Sequence, residues 1–326
     1  MKNKKMAVIP VFLPWMGCVN RCIYCNEQAI TGYDYLNYKD QEILSQLDRL
    51  VNQQLKEIKP NKKIQLAFFG GSFSNAPSEI QERFLKWANT YIIKGLIDSI
   101  RISTRPDSID EHEIRLLQQY HCESVELGVQ SFDDEVLRKN NRGHDALAAV
   151  KAIKCLSDAG FEIGIHLMTG LFGSNNTLDE QSYRKALAMN PATIRIHPTL
   201  VLKDTPLEKL YLKDLYVPLE LRATVEELGK YIRLAWETPV KLNRIGLFVP
   251  DTLLSSVVAG PYHPALGDLA RIMAAVLEVK DRLATNDVVR VSKSTYEGFK
   301  SHRGFFEPYV KEEILSGRIR YSEVNE

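Results

Sequence analysis

Short apolar runs alternate with longer stretches of helical period through most of this chain. The run "AVIPVFL" leads into "KDQEILSQLDRLVNQQLKEI", "IQLAFF" into "PSEIQERFLKWANTYII", and "DSIRIS" into "DEHEIRLLQQY". Next come "SVELGVQ" with helices at about 133–140 and 145–159, "FEIGIHLMTG" with "LDEQSYRKALAM", and "TIRIHPT" with "LELRATVEELGKYIRLAWE". Runs of this length that end in Gly, Pro or Ser before a helical period read as repeated βα units on a parallel sheet. Six units fit before about residue 238, and "VKLNRIGLF" is a further strand candidate. The pattern predicts an α/β protein whose units close a partial (β/α)6 TIM-like barrel or lie open as a doubly wound sheet. Either way, ligands gather at the C-terminal ends of the strands. Past residue 240 the rhythm changes to one helix candidate at 264–283 and a less regular tail containing Lys and Arg. The expected organisation is a barrel over 1–240 and a C-terminal extension over 241–326 that packs on its mouth or one edge.

Composition narrows this picture without choosing a substrate. With 326 residues, 44% hydrophobic and 25% charged, the chain can bury a large core. Its net charge of +1 argues neither for nucleic acid nor against it, since local patches average away. No apolar run approaches the roughly 18 residues of a membrane span, so no membrane partner is expected. The basic start of "MKNKKMAVIPVFLPW" precedes a short apolar run that contains prolines and lacks a small-residue cleavage site. It reads as a first strand rather than a signal peptide. The five cysteines are odd in number and three are clustered, which is poor arithmetic for disulfides. A reducing, cytoplasmic location is expected.

The cluster is "GCVNRCIYCNEQ", with Cys18, Cys22 and Cys25 at C-x3-C-x2-C spacing. A structural zinc site normally takes four ligands, and no second Cys or His pair lies nearby in sequence. A redox pair of Cys22 and Cys25 leaves Cys18 unexplained, and the flanking residues are too polar for a core segment. Three thiolates on an iron–sulfur cluster account for all of them. Most such clusters use four, so a missing ligand leaves one iron open to an exogenous group. The loop directly follows the first strand, at the C-terminal mouth of a barrel.

This loop, with an aromatic residue before its last Cys, resembles that of the radical S-adenosylmethionine (SAM) enzymes. The resemblance implies a 4Fe-4S cluster on Cys18, Cys22 and Cys25, with SAM chelated at the open iron. It implies reductive cleavage of SAM to a 5′-deoxyadenosyl radical that abstracts a substrate hydrogen, with electrons from a donor such as flavodoxin or ferredoxin. Tyr24 would lie against the cofactor. "FFGGSFS" is similar to the family's GGE-like turn, where Gly70 and Gly71 let backbone carbonyls approach the SAM ammonium and Ser72 replaces the usual acidic residue. Taken together, "ISTRPD", "VELGVQSFDDEVLRKNNRGH", "GIHLMTGLFG" and "IRIHPTLVLKDTPLEKLY" most resemble the radical-SAM half of the Elongator catalytic subunit. That resemblance covers about residues 7–270; oxygen-independent coproporphyrinogen oxidase is a more distant likeness. On this matching Gln130 bonds the SAM ribose, Arg142 pairs with its carboxylate, and His166 lines the same site. Ser103 stands where a Glu usually touches SAM.

Strand parity is consistent with a polar-lined interior. Glu126, Gly128 and Gln130 share one face, as do Ser103 and Arg105, and as do His166, Met168 and Gly170. Glu126 and Arg105 read equally as a buried ion pair or as ligand contacts, and His197 as a core histidine or a site residue. Cys122 and Cys155 stand alone, so no second cluster is expected. No acetyltransferase segment follows in the sequence, so chemistry dependent on acetyl-CoA is not expected either. The substrate stays open among an RNA base, a small molecule and a peptide, with a non-catalytic iron–sulfur protein as the reading from another class. An RNA substrate would engage the tail "RVSKSTYEGFKSHRGFFEPYVK", with Lys and Arg on phosphates and a Tyr or Phe against a base. The same segment also reads as an ordinary solvated terminus.

Overall fold

The computed structural model describes residues 6–31, 42–247 and 251–322. Six strands appear in the order the apolar runs predict: β1 (Met6–Phe12), β2 (Lys63–Phe69), β3 (Ser99–Thr104), β4 (Cys122–Gln130), β5 (Glu162–Thr169) and β6 (Thr193–Pro198). A two-residue strand, β7 (Val201–Leu202), pairs antiparallel with β9 (Val257–Ala259) outside the main sheet. β8 (Lys241–Ile245) pairs parallel with β6, so the sheet has seven strands ordered β1-β2-β3-β4-β5-β6-β8. Phe248 of the last strand candidate lies outside the described residues.

The two parities of these strands have opposite tasks. Ile9, Val11, Leu66, Phe68, Ile100, Ile102, Leu127, Ile165 and Ile196 are buried in one continuous core with the flanking helices. The alternate positions carry Gln65, Arg101, Glu126, His166 and Arg195, which bond to one another on the other face. The Arg195 guanidinium on β6 lies 5.5 Å from the ring centroid of Phe69 on β2, although β3, β4 and β5 stand between those strands in the sheet. Only a strongly curled sheet brings them together. The architecture is a parallel half-barrel with a polar concave face, not an open doubly wound sheet.

Local signals place the helices. Asp133 and Asp145 accept from the backbone N–H groups of Val136 at 2.8 Å and Ala148 at 2.7 Å. They cap Asp134–Lys139 and Ala146–Asp158, the helices expected at 133–140 and 145–159. Leu266–Leu283 matches the helix expected at 264–283 and packs on Leu221–Trp236. The helix expected from residue 39 is described as Ile43–Glu57, its first residues lying outside the described set.

The tail is more regular than its sequence implied. It forms β10 (Val289–Val291), the helices Lys293–Gly304 and Glu307–Leu315, and β11 (Ile319–Tyr321), with the two strands paired parallel. A kink at Ser301, His302 and Arg303 breaks the helical period, which hid the helices from pattern reading. Phe299, Phe306, Val310 and Ile319 are buried in the main core. Among the described residues, no helix is long and apolar enough to cross a membrane.

Candidate cofactor site at the strand ends

The cysteine loop leaves β1 at Leu13, whose N–H donates to the Phe69 carbonyl at 2.7 Å, and then crosses the Gly-Gly turn after β2. The crossing is backbone on backbone: the Ser72 N–H donates to the Met16 carbonyl at 2.6 Å. A Cβ on Gly71 would stand 2.2 Å from that carbonyl oxygen, and one on Gly17 would stand 2.0 Å from the Ser72 carbonyl oxygen. Both glycines have positive φ, +62° and +69°. These positions are glycine because two chains touch there, a reason unavailable to a reading of either segment alone.

Glu27 locks the crossing. Its carboxylate accepts from the Trp15 N–H at 2.5 Å and from the Gly71 N–H at 2.6 Å. Burial raises its pKa while those two donors oppose the shift. The sequence reading missed Glu27. Its signal was an acidic residue two positions after Cys25, in a chain whose Gly-Gly turn lacks its own carboxylate. Ser72 is fully buried. Its hydroxyl shares a hydrogen bond with Thr104 at 3.2 Å and accepts from the Arg105 N–H at 3.2 Å, anchoring the turn to β3.

Arg142 joins the cysteine loop to β4. Its Nη1 donates to Cys22 Sγ at 3.1 Å and to the Tyr24 hydroxyl at 3.5 Å, and its Nη2 donates to the Gly128 carbonyl. Burial works against its charge, yet Tyr24 and Cys22 beside it hold its proton more tightly than usual. Its Nε, the Gln130 Oε1 and the Ser103 Oγ are buried atoms without a hydrogen-bond partner. Gln130 takes a positive φ of 69° at the end of β4. Such orphans are costly, and the Arg142 and Gln130 side chains both lie beside Gly128 near the end of β4, where a ligand is expected.

The three cluster cysteines are half-buried. Burial, Glu27 and the Cys22 sulfur push the Cys18 thiol up to about 12, and burial likewise raises Cys25. Ligand binding must therefore drive off these protons. Among the described residues, no three His, Cys, Asp or Glu side chains close on a single metal ion. An iron–sulfur cluster asks for something different, since its thiolates bind separate irons and stand further apart than the ligands of one ion. The donor set of three thiols flanked by a buried cation fits an anionic cluster.

The other expected residues have partners of their own. Arg105 does not pair with Glu126: it chelates its neighbour Asp107 at 2.9 and 2.5 Å. Glu126 instead binds Arg101, Arg195 at 3.0 Å and the His166 Nε2–H at 2.7 Å. Arg101 is the basic residue of β3 that shares the parity of Glu126, whereas Arg105 sits past the strand end. Burial opposes ionisation of Glu126, but His166, Arg195 and Arg101 hold its pKa near 2. His166 lies on the concave face, with the His197 ring 5.9 Å away. In the tail, Phe299 and Phe306 are buried, while Phe305 and Tyr309 lie beneath Arg222. Cys122 is buried and Cys155 exposed, apart from the cluster.

Residues 13–182 match the model of the Radical SAM superfamily. The chain belongs to that superfamily and is an enzyme. This radical SAM chain also matches the Radical_SAM C-terminal domain over residues 191–277. It is 29% identical over 240 residues to the tRNA uridine(34) acetyltransferase of Methanocaldococcus infernus, covering 67% of this chain and 44% of that protein. It is 25% identical over 291 residues to Homo sapiens Elongator complex protein 3, covering 77% of this chain and 51% of that protein. The chain thus spans about half the length of these relatives. In structure it resembles the archaeal Elp3 of M. infernus with an N-terminal deletion, with TM-score 0.66 and 22% identity over 90% of this chain and 68% of that one. Coproporphyrinogen III oxidase of Escherichia coli shares the fold at TM-score 0.51 and 18% identity, covering 72% of this chain and 53% of that one.

Proposed function

We propose that Cys18, Cys22 and Cys25 hold a 4Fe-4S cluster, that Tyr24, Gly70, Gly71, Ser103, Gln130 and Arg142 form the adjoining SAM site, and that the substrate is a nucleotide of RNA. Held there, the cluster and SAM would supply one-electron chemistry: reductive cleavage of the SAM sulfonium, with the electron from an external donor, for hydrogen abstraction from the substrate. The observation that carries this reading is the Arg142 guanidinium. It is buried, it touches Cys22 and the β4 carbonyl of Gly128, and it keeps one N–H without an acceptor. That N–H suits a carboxylate arriving between the cysteine loop and β4, a charge-assisted bond worth roughly 1.5–3 kcal/mol. Glu27 holds the loop and the Gly-Gly turn in register, so both ligands meet a preformed edge. The archaeal relative's name, tRNA uridine(34) acetyltransferase, supports an RNA base over a peptide or small molecule.

The test is anaerobic reconstitution followed by incubation with SAM, a strong reductant and a cell extract split into RNA and small-molecule fractions. Production of 5′-deoxyadenosine should rise with the RNA fraction and lose that rise after ribonuclease treatment. Stimulation by the small-molecule fraction alone would overturn the RNA assignment. A protein that takes zinc but never iron would overturn the cluster.

A further inference from the structure

The segment that closes β3, residues 104–107, carries a buried arginine that the proposed SAM site does not use. The Arg105 side chain is 7% exposed, and its Nε and Nη2 are fixed on Asp107 at 2.9 and 2.5 Å. Its Nη1 is a buried donor with no acceptor. The ion pair with Asp107 accounts for one edge of the guanidinium and leaves the other unused, which is costly for a buried donor.

A seam between the cysteine loop and the segment after β4 fixes where this guanidinium stands. The Ile23 N–H donates to the Asn140 carbonyl at 3.3 Å, and Asn141 Nδ2 donates to the Arg21 carbonyl at 2.8 Å. Gly143 follows at a φ of +70°, and a Cβ there would fall 2.2 Å from Asn20 Nδ2 and 2.7 Å from Arg105 Nη2. Arg105 therefore reaches the seam beside Asn20, which stands between Cys18 and Cys22 in the chain. Asp107 lies on the outer side, around a surface cleft with Asp134, His144 and Asp145, and its side chain is 29% exposed. Water screens that carboxylate more than it screens the buried guanidinium. Arg142 and Arg105 both pull against the rise of the Cys18 thiol, so the cation of the pair is felt at the cysteines.

We propose that Arg105 is a second buried cation at the iron–sulfur cluster, beside the Cys18 end of the loop as Arg142 is beside Cys22, and that its charge raises the cluster's reduction potential. The proposal rests on the cluster reading above. Reduction adds one negative charge to a cluster, so a fixed cation nearby stabilises the reduced state more than the oxidised one. Asp107 is a positioning residue, since its two bonds hold the guanidinium in one orientation.

The deciding measurement is a redox titration of anaerobically reconstituted protein without SAM, followed by electron paramagnetic resonance of the reduced cluster. Arg105→Gln should load iron and sulfide like the parent. It should shift the balance of reduced to oxidised cluster at least tenfold toward the oxidised form, a fall of about 59 mV for one electron. Arg105→Lys should keep most of the parent's potential, because it keeps the charge. Arg138→Gln, at an exposed arginine of the same cleft, should not move it. If Arg105→Gln does not load, the double variant Arg105→Gln with Asp107→Asn leaves neither charge unpaired and should show the same fall. An unchanged potential in either loaded variant overturns the proposal, as does an equal fall in Arg138→Gln, which traces the effect to net charge. Failure of both variants to load overturns it too, assigning Arg105 to the folding of the loop. An unchanged potential with weakened SAM binding gives the free N–H to SAM instead. A parent protein that takes up no iron overturns the cluster reading itself, and this proposal with it.

Discussion

Replacing Gly71 by Ala probes whether the cofactor site is built by backbone crossing. A methyl group at that position falls 2.2 Å from the Met16 carbonyl oxygen and 2.7 Å from the Met16 nitrogen, at a φ of +62°. Gly95 supplies the control, because its φ is +68° and nothing lies within 4 Å of its added Cβ. Gly95→Ala therefore isolates the left-handed backbone cost, roughly 1–2 kcal/mol. Gly71→Ala carries that same cost and must also displace the backbone of Met16, where overpacking adds roughly 1–3 kcal/mol. The total is about 2–5 kcal/mol. Met16 lies two residues before Cys18, so the displacement reaches the proposed cluster ligands and iron uptake should fall with stability. The assay is urea unfolding of both variants, paired with iron and sulfide content after anaerobic reconstitution. If the two variants lose the same stability and Gly71→Ala loads iron like the parent, the crossing does not hold the site and the argument fails.

Single substitutions of Cys18, Cys22 or Cys25 by Ala should abolish the iron–sulfur absorbance of reconstituted protein, whereas changes at Cys122 or Cys155 should leave it intact. Arg142→Ala should weaken SAM binding by roughly 1.5–3 kcal/mol in equilibrium dialysis; undiminished affinity would move the carboxylate elsewhere. Glu113 is buried at 4% exposure, and burial raises its pKa to about 7. Its folded pKa lies above the ordinary carboxyl value, so its contribution to stability is complete below about 4.5 and is lost as pH rises through about 7. Glu113→Gln should therefore gain up to about 3 kcal/mol over the parent at pH 8 and nothing at pH 4. A gain independent of pH in denaturant titrations would assign it to packing instead.

Sequence by itself determined the alternation of strands and helices, the parity of each strand and the loop that carries the thiols. These are local properties. A strand exposes its two faces at a period of two, a helix its apolar stripe at 3.6, and an Asp cap acts within three residues. That is why the helices at about 133–140 and 145–159 were legible, and why Glu126 and His166 were legible as inward-facing. Tertiary structure alone decided which of those groups meet. Arg101 rather than Arg105 reaches Glu126 because Arg105, of the same parity, lies past the end of β3 and turns to Asp107, and where the strand ends is not written in its parity. Glu27 became part of the site only when the loop after β1 crossed the turn after β2. Gly71 is glycine for that same crossing. The cluster of Arg101, Glu126, His166 and Arg195 on the concave face emerged only when the strands assembled and the sheet curled, because Coulomb energy follows distance through space and not along the chain.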